Sequence, residues 1–239
     1  MNADSMGADT AAHQRLLSSL SELLRANALP GELEGFAEVE TSDAAEFVLA
    51  CAGRRPPGVA LVRLESLGGQ VGKRRMRIAI INDDMPFLVD SVASAVTQYD
   101  IVIHRLLHPV VHAVRDADGC LTALSATAPD GAQRESIIYM EVDRADARSR
   151  RDLFADLHKV LADVRSAVAD WKTMQQRMLS DAALVEDPEG AALLQWFAGG
   201  AMTLLGYQVE RPGQPSSGGL GTRNRPSPLA EGSPGRSTW

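Results

Sequence analysis

Between Ile78 and Val92 the chain reads Ile78-Ala79-Ile80-Ile81-Asn82-Asp83-Asp84-Met85-Pro86-Phe87-Leu88-Val89-Asp90-Ser91-Val92, an apolar strand pattern that breaks at an acidic turn and restarts as a helix. A strand feeding a helix through Asp-x-Pro places helix-initial N–H groups beside a strand end, where a small anionic or amino-acid ligand is readily held. Asp84 is the expected N-cap. Pro86 lies near the first turn, where its missing N–H costs nothing, and Leu88, Val92, Ala95 and Val96 form the apolar stripe. Asn82, Asp83, Asp84 and Pro86 are therefore the candidate residues, for ligand binding or for capping. No comparable signature occurs elsewhere, and no residue is assigned a catalytic role.

The elements around this junction follow from hydrophobic period. Leu16, Leu17, Leu20, Leu23 and Leu24 recur at helical spacing until Leu29-Pro30-Gly31, and a second helix is expected after Ser42-Asp43, with Phe47, Val48 and Cys51 on one side. The turn-rich Arg54-Arg55-Pro56-Pro57-Gly58 ends this helical preface. Strands are then expected at Val59 to Leu64 and Met76 to Ile81, joined by a loop with Gly68, Gly69 and Gly72, and later at Ile101 to Arg115 and Leu121 to Ala126. Asp118-Gly119 between the last two is a hairpin signal. In the strand Ser136 to Asp143, Ile138, Met140 and Val142 form the better core face than Ile137, Tyr139 and Glu141.

Apolar residues from Leu153 through Trp171 to Met178 hold one helical face for about seven turns, roughly 40 Å. That exceeds what a small sheet needs, so the distal half is expected to pack on another domain, another subunit or the N-terminal helices. Asp187-Pro188-Glu189 opens another helix with an N-cap, an N1 proline and a first-turn acid, and Thr203 to Val209 reads as a strand. After Val209 the chain is mostly Pro, Gly, Ser and Arg, without apolar period, and is expected to be disordered. A domain that starts and has no sequence to finish it reads as a truncated or frame-shifted product.

Composition excludes several function classes. The net charge is −7, and residues 211–239 carry four arginines against Glu231 alone, which leaves −10 on the body. An acidic body argues against nucleic-acid partners. Cys51 and Cys120 fit no metal spacing and follow no secretion signal, so they read as free thiols of a cytoplasmic protein. Apolar runs are interrupted within about ten residues, too short for a membrane span.

The order strand-helix-strand-strand-strand-helix, with one strand in front, predicts an α+β fold: a ferredoxin-like sandwich with an antiparallel sheet and helices on one face. Asp84-Met85-Pro86-Phe87-Leu88-Val89, with Val92 a turn later and Ile101 opening the next strand, resembles the Asp-x-Pro-Gly-Leu-Leu signature of ACT domains, which sense amino acids. More narrowly, Asn82 to Val92, His108-Pro109-Val110, Arg115 to Gly119, Glu135-Ser136, Glu141 to Arg144 and Leu205-Gly206-Tyr207 resemble the N-terminal region of the large bacterial NAD-dependent glutamate dehydrogenases. The likeness covers roughly residues 10–210. Taken with the hydrophobic pattern and composition, it divides the chain into a helical preface at 1–58, an ACT-like domain at 59–180, the start of a following domain at 181–210 and a tail at 211–239 expected to be disordered.

What the resemblance implies for function is the parent reaction, oxidation of L-glutamate to 2-oxoglutarate and ammonia with NAD as hydride acceptor, and for this chain a regulatory or assembly role. The implied partners are other domains or subunits of the parent enzyme and an amino-acid effector. A second reading is a stand-alone amino-acid sensor binding at Asp84–Pro86; Phe87 stands where ligand-binding ACT domains usually have Gly. NAD belongs to the parent, since a dinucleotide needs Gly-x-Gly-x-x-Gly between strand and helix and Gly68-Gly69-Gln70-Val71-Gly72-Lys73 has the wrong spacing. No cofactor or metal is assigned to this chain. Asp83, Asp84 and Asp90 are spread over more than a helical turn. His104, His108 and His112 lie on a strand, where their first and last members stand too far apart, at about 3.3 Å per residue, for one metal.

Overall fold

The computed structural model describes residues 3–29, 31–68, 75–212 and 217–223, with side chains from residue 10 onward. The chain divides into two compact units, Met1–Met85 with Val89–His158, and Pro86–Leu88 with Lys159–Trp239. In the first unit, helices α1 (Ala3–Ala26) and α2 (Glu38–Ala52) precede strands β1 (Leu61–Ser66) and β2 (Arg75–Asp83). Helix α3 (Leu88–Thr97), β3 (Ile103–Leu107), β4 (Val110–Arg115), β5 (Leu121–Ser125), β6 (Gln133–Asp143) and the start of α4 (Ala147–Ala182) follow.

The sheet has the order β1-β2-β6-β4-β5, with β3 also on β6, and each pairing is antiparallel. Because β6 runs antiparallel to both β2 and β4, the strands β2 and β4 point the same way with β6 between them. Helix α3 makes the crossover, which is the split β-α-β arrangement expected of a ferredoxin-like fold. The edge beside β2 is filled by β1, which precedes the β-α-β core in sequence rather than following α4.

One expected strand is two. Ile101 to Arg115 breaks between β3 and β4 at His108-Pro109, because proline has no N–H to give the ladder. Its carbonyl still accepts from Ile137 N at 3.0 Å, so both halves stay on β6. The Asp116–Gly119 turn closes the β4–β5 hairpin as expected. Asp116 Oδ1 accepts from the N–H groups of Asp118 and Cys120, and Gly119 takes φ 81°.

Both faces of the central strands are buried. Met76, Ile78, Ile80, Ile138, Met140 and Val142 form the expected core face, and α3 and the first turns of α4 contribute buried Val92, Ala95, Val96, Leu153 and Leu157. The opposite face, Ala79, Ile81, Ile137 and Tyr139, packs in one cluster with Leu20, Leu24, Phe47 and Val48 of α1 and α2. The helical preface is thus a third layer. Tyr139 lies 6.4 Å from the rings of both Phe36 and Phe47, and burial with the nearby Glu141 charge pushes its phenol well above its usual value.

Helix α2 starts earlier than the Ser42-Asp43 expected as its cap. Its N-cap is Ala37, Glu38 and Glu40 lie in its first turn where acids are favourable, and Asp43 instead takes Arg77 at 2.6 Å.

The second unit holds the rest of α4, then α5 (Pro188–Trp196), a wide turn at Phe197–Ala201 ended by Gly200 at φ 103°, and strands β7 (Gly206–Val209) and β8 (Ser217–Gly221). Asp187 caps α5 as expected, accepting from Gly190 N at 2.7 Å. Residues 217–221 pair with β7, so this part of the expected disordered tail is a strand; residues 213–216 and 224–239 lie outside the described residues, as do 69–74 of the glycine-rich loop. Two acids of α4 hold the hairpin: Asp170 accepts from Gly221 N at 2.7 Å and Asp181 from the Tyr207 hydroxyl at 3.0 Å.

Candidate functional site

The end of β2 sets Asn82 opposite Ser136 and Asp83 opposite Glu135 of β6. The α2–β1 connection brings a third charged residue, Arg55, to this spot, because it is sewn to the hairpin tip. Arg55 N donates to Gly119 O at 3.0 Å and Leu121 N to Gly53 O at 2.9 Å. Gly119 is needed here: besides its positive φ, a Cβ would lie 2.7 Å from the Arg55 carbonyl oxygen.

Arg55, 1% exposed, donates from Nε and Nη2 to Glu135 Oε1 at 3.0 and 2.8 Å, from Nη2 to Asp83 Oδ1 at 2.6 Å, and from Nη1 to Val59 O at 3.0 Å. Arg115 grips the same glutamate through Nε at 2.7 Å and Nη2 at 2.9 Å, while its Nη1 reaches the Ala52 and Gly119 carbonyls, both at 2.9 Å. Glu135 is itself 1% exposed. Two guanidiniums and two carboxylates balance, Arg55, Arg115 and Glu135 buried and Asp83 partly exposed at the edge, the pairing under which buried charge is tolerated. Burial alone would lower the Arg55 pKa, but hydrogen bonds to Asp83 and Glu135 and their charges outweigh it and hold it above the ordinary arginine value.

Asp84 is tied differently. Its N–H donates to Arg134 O at 3.1 Å and its carboxylate meets the exposed Arg134 guanidinium at 2.8 Å. Helix α3 begins four residues later, at Leu88, after a turn at Pro86-Phe87, so Asp84 stands ahead of the helix rather than at its N-cap. Phe87 takes φ 69°, the left-handed region that favours Gly, and its side chain is 51% exposed. Asn82 and Ser136 are buried, and His108 Nε2 lies 2.5 Å from Ser136 Oγ. Burial holds the His108 pKa below its usual value, with the Asp84 charge pulling it back.

The structure thus brings Asn82, Asp83 and Asp84 together with Arg55, Arg115, Glu135, Ser136 and His108. Arg55 and Arg115 carried no site signal in sequence. The available clue was a Glu opening an otherwise apolar strand, which requires a buried cation once the strand is central. Asp83 is locked to a buried arginine. Asp84 faces an exposed one, a pairing of about 0–1 kcal/mol that a competing ammonium can displace.

Other chemistry is weakly supplied. His104 pairs with Asp143 at 2.7 Å, His108 with Ser136, and His112 sits on β4, so the three serve separate places. Among the described residues no group of three His, Cys, Asp or Glu side chains is placed to hold a metal. Cys51 is a poor nucleophile, because burial pushes its thiol up to about 11 against the pull of Arg63. The β2–α3 junction does not fit a dinucleotide: a pyrophosphate there would meet Asp83 and Asp84 and no glycine. Among the described residues no helix is long and apolar enough to cross a membrane.

A family model described as the ACT1 domain of glutamate dehydrogenase matches residues 21–157. The NAD-specific glutamate dehydrogenase of Halomonas elongata is 34% identical over 148 residues, 54% of this chain and 9% of that protein. The enzyme of the same description from Pseudomonas aeruginosa is 32% identical over 158 residues, 59% of this chain and 10% of that protein. The chain therefore spans about a tenth of the length of these curated relatives.

Proposed function

The chain belongs to the glutamate dehydrogenase ACT1 domain family, and from that premise we propose that it acts as the N-terminal regulatory or assembly region of a large NAD-dependent glutamate dehydrogenase. The parent reaction would be oxidative deamination of L-glutamate with NAD as hydride acceptor, performed by domains outside this sequence. Its partners would be those domains or other subunits.

The observation that carries this reading is the closed charge network at the strand–helix junction. The acids there are answered by arginines of the same unit, and the junction offers neither a nucleophile nor a phosphate cradle. Such a unit is built to hold a shape, which suits scaffolding and intersubunit contact.

Purified chain is titrated calorimetrically with NAD, L-glutamate and the other common amino acids, and assayed for glutamate-dependent NAD reduction. No turnover and no NAD binding are expected. Turnover by the chain alone would overturn the reading. Tight binding of one amino acid, abolished by Asp84→Asn, would replace it with the stand-alone sensor.

A further inference from the structure

The sheet of the first unit leaves one straight edge. Among the described residues β1 pairs with β2 alone, in an unbroken register from Leu61 opposite Ile81 to Ser66 opposite Met76. At the other edge, β5 is offset from β4 by a bulge between Val114 and Arg115, a device that turns an edge away from new partners.

One bond fixes which groups of β1 face outward. Leu67, next in register after Ser66, donates its N–H to Arg75 O at 3.0 Å. Bonded and non-bonded pairs alternate along an antiparallel ladder, so Leu61, Arg63 and Glu65 bond β2 as Leu67 does. The N–H and C=O groups of Val62, Leu64 and Ser66 therefore point out of the sheet. Between them stand two opposite charges: Arg63 and Glu65 have side chains 43% and 42% exposed and 3.5 Å apart, and the Arg63 guanidinium lies 5.3 Å from the Phe47 ring of α2.

We propose that β1 pairs edge to edge with β1 of a second copy of this chain, antiparallel about a two-fold axis at Leu64. The sequence of the strand selects both partner and register. An axis at Arg63 would set arginine on arginine and one at Glu65 glutamate on glutamate, and like charges directly opposite are destabilising. An axis at Val62 or Ser66 would run the pairing past the end of the strand. At Leu64, Leu64 bonds its own copy and Val62 bonds Ser66, while Arg63 faces Glu65 on each side of the axis in the non-bonded pairs, where side chains lie closest. The edge is thus complementary to itself. This gives the assembly reading above a surface and a partner, and rests on that reading for its place in the parent enzyme.

The test follows the 239-residue chain by sedimentation equilibrium. A monomer–dimer equilibrium is expected below about 0.1 mM. Leu64→Pro removes an outward N–H that β2 does not use, a change edge strands tolerate, so it should keep the parent melting temperature and weaken the dimer at least about tenfold. Glu65→Arg should also weaken it about tenfold, by setting arginine on arginine, and adding Arg63→Glu should restore it. A chain that is monomeric at about 0.1 mM, a dimer indifferent to a folded Leu64→Pro, or no restoration by the double exchange would overturn the proposal. If Leu64→Pro does not fold, the charge exchange decides alone. Turnover of glutamate by the chain alone would count against the functional reading and not against this pairing.

Discussion

Glu135→Gln removes the one acid on which two buried arginines converge, and its cost follows from the geometry. Glutamine can keep its carbonyl oxygen where Arg55 Nε, Arg55 Nη2 and Arg115 Nε meet, at 3.0, 2.8 and 2.7 Å. Its amide nitrogen then faces Arg115 Nη2, now 2.9 Å from Oε2, donor against donor. Among the described residues only Asp83 on Arg55 is then left as a carboxylate partner, and Arg115 keeps none. Breaking a buried ion network on one side costs about 3–5 kcal/mol. For a unit of this size that lowers Tm by roughly 6–20 °C. Arg55→Met should cost less, because Arg115 still holds Glu135 through both oxygens and Asp83, about a third exposed, can turn to water. Urea unfolding followed by circular dichroism gives both values. If Glu135→Gln lies within about 1 kcal/mol of the parent, or costs less than Arg55→Met, the clamp does not work as described.

Phe87→Gly should raise stability by about 0.5 kcal/mol, since relief of a left-handed φ at a bulky residue exceeds the added chain entropy; a loss above about 1 kcal/mol would show that the ring packs productively. His108 should make stability pH-dependent: its folded pKa lies below the ordinary 6.5, so its contribution is complete above 6.5 and is lost as pH falls from there through the lower folded value. His108→Gln should flatten the slope of unfolding free energy against pH in that range, and an unchanged slope would exclude His108 as its source. Cys51, with a thiol raised from 9.0 to about 11, should react with iodoacetamide about a hundredfold more slowly than an unperturbed thiol at pH 8, measured by peptide mass spectrometry; equal rates in native and urea-unfolded chain would refute this.

Local rules made much of the fold legible. The period change near Val59, the Asp118-Gly119 turn and the Asp187-Pro188 cap are each set within a few residues, and each appears where it was expected. What failed was set across distance. Tyr139 reads as the lesser face of β6 until α1 and α2 are laid over it, and Glu135 reads as a strand-end acid until Arg55, 80 residues earlier, arrives beneath it. Asp84 had the spacing of an N-cap. The pairing of its N–H with β6 keeps it in the sheet, however, so the helix starts only after the Pro86-Phe87 turn.

The two arginine-held ends of β6 have a common logic. At one end Glu135 joins the α2–β1 connection to the β4–β5 hairpin through Arg55 and Arg115. At the other, Glu141 takes Arg75 and Arg105, and Arg105 lies 4.1 Å over the ring of Phe36, in the segment between α1 and α2. Arg77 repeats the pattern, 4.3 Å over Phe47 while bound to Asp43 of α2. In each case a cation rooted in the sheet or its loops ties it to the helical layer or to the loops beside it, and cation–π contacts of this kind contribute about 0.5–2 kcal/mol each. A sheet face covered by helices from before the domain would slide if held by apolar contact alone, since that attraction is non-directional. Arginine supplies the direction, and it does so at both ends of one central strand.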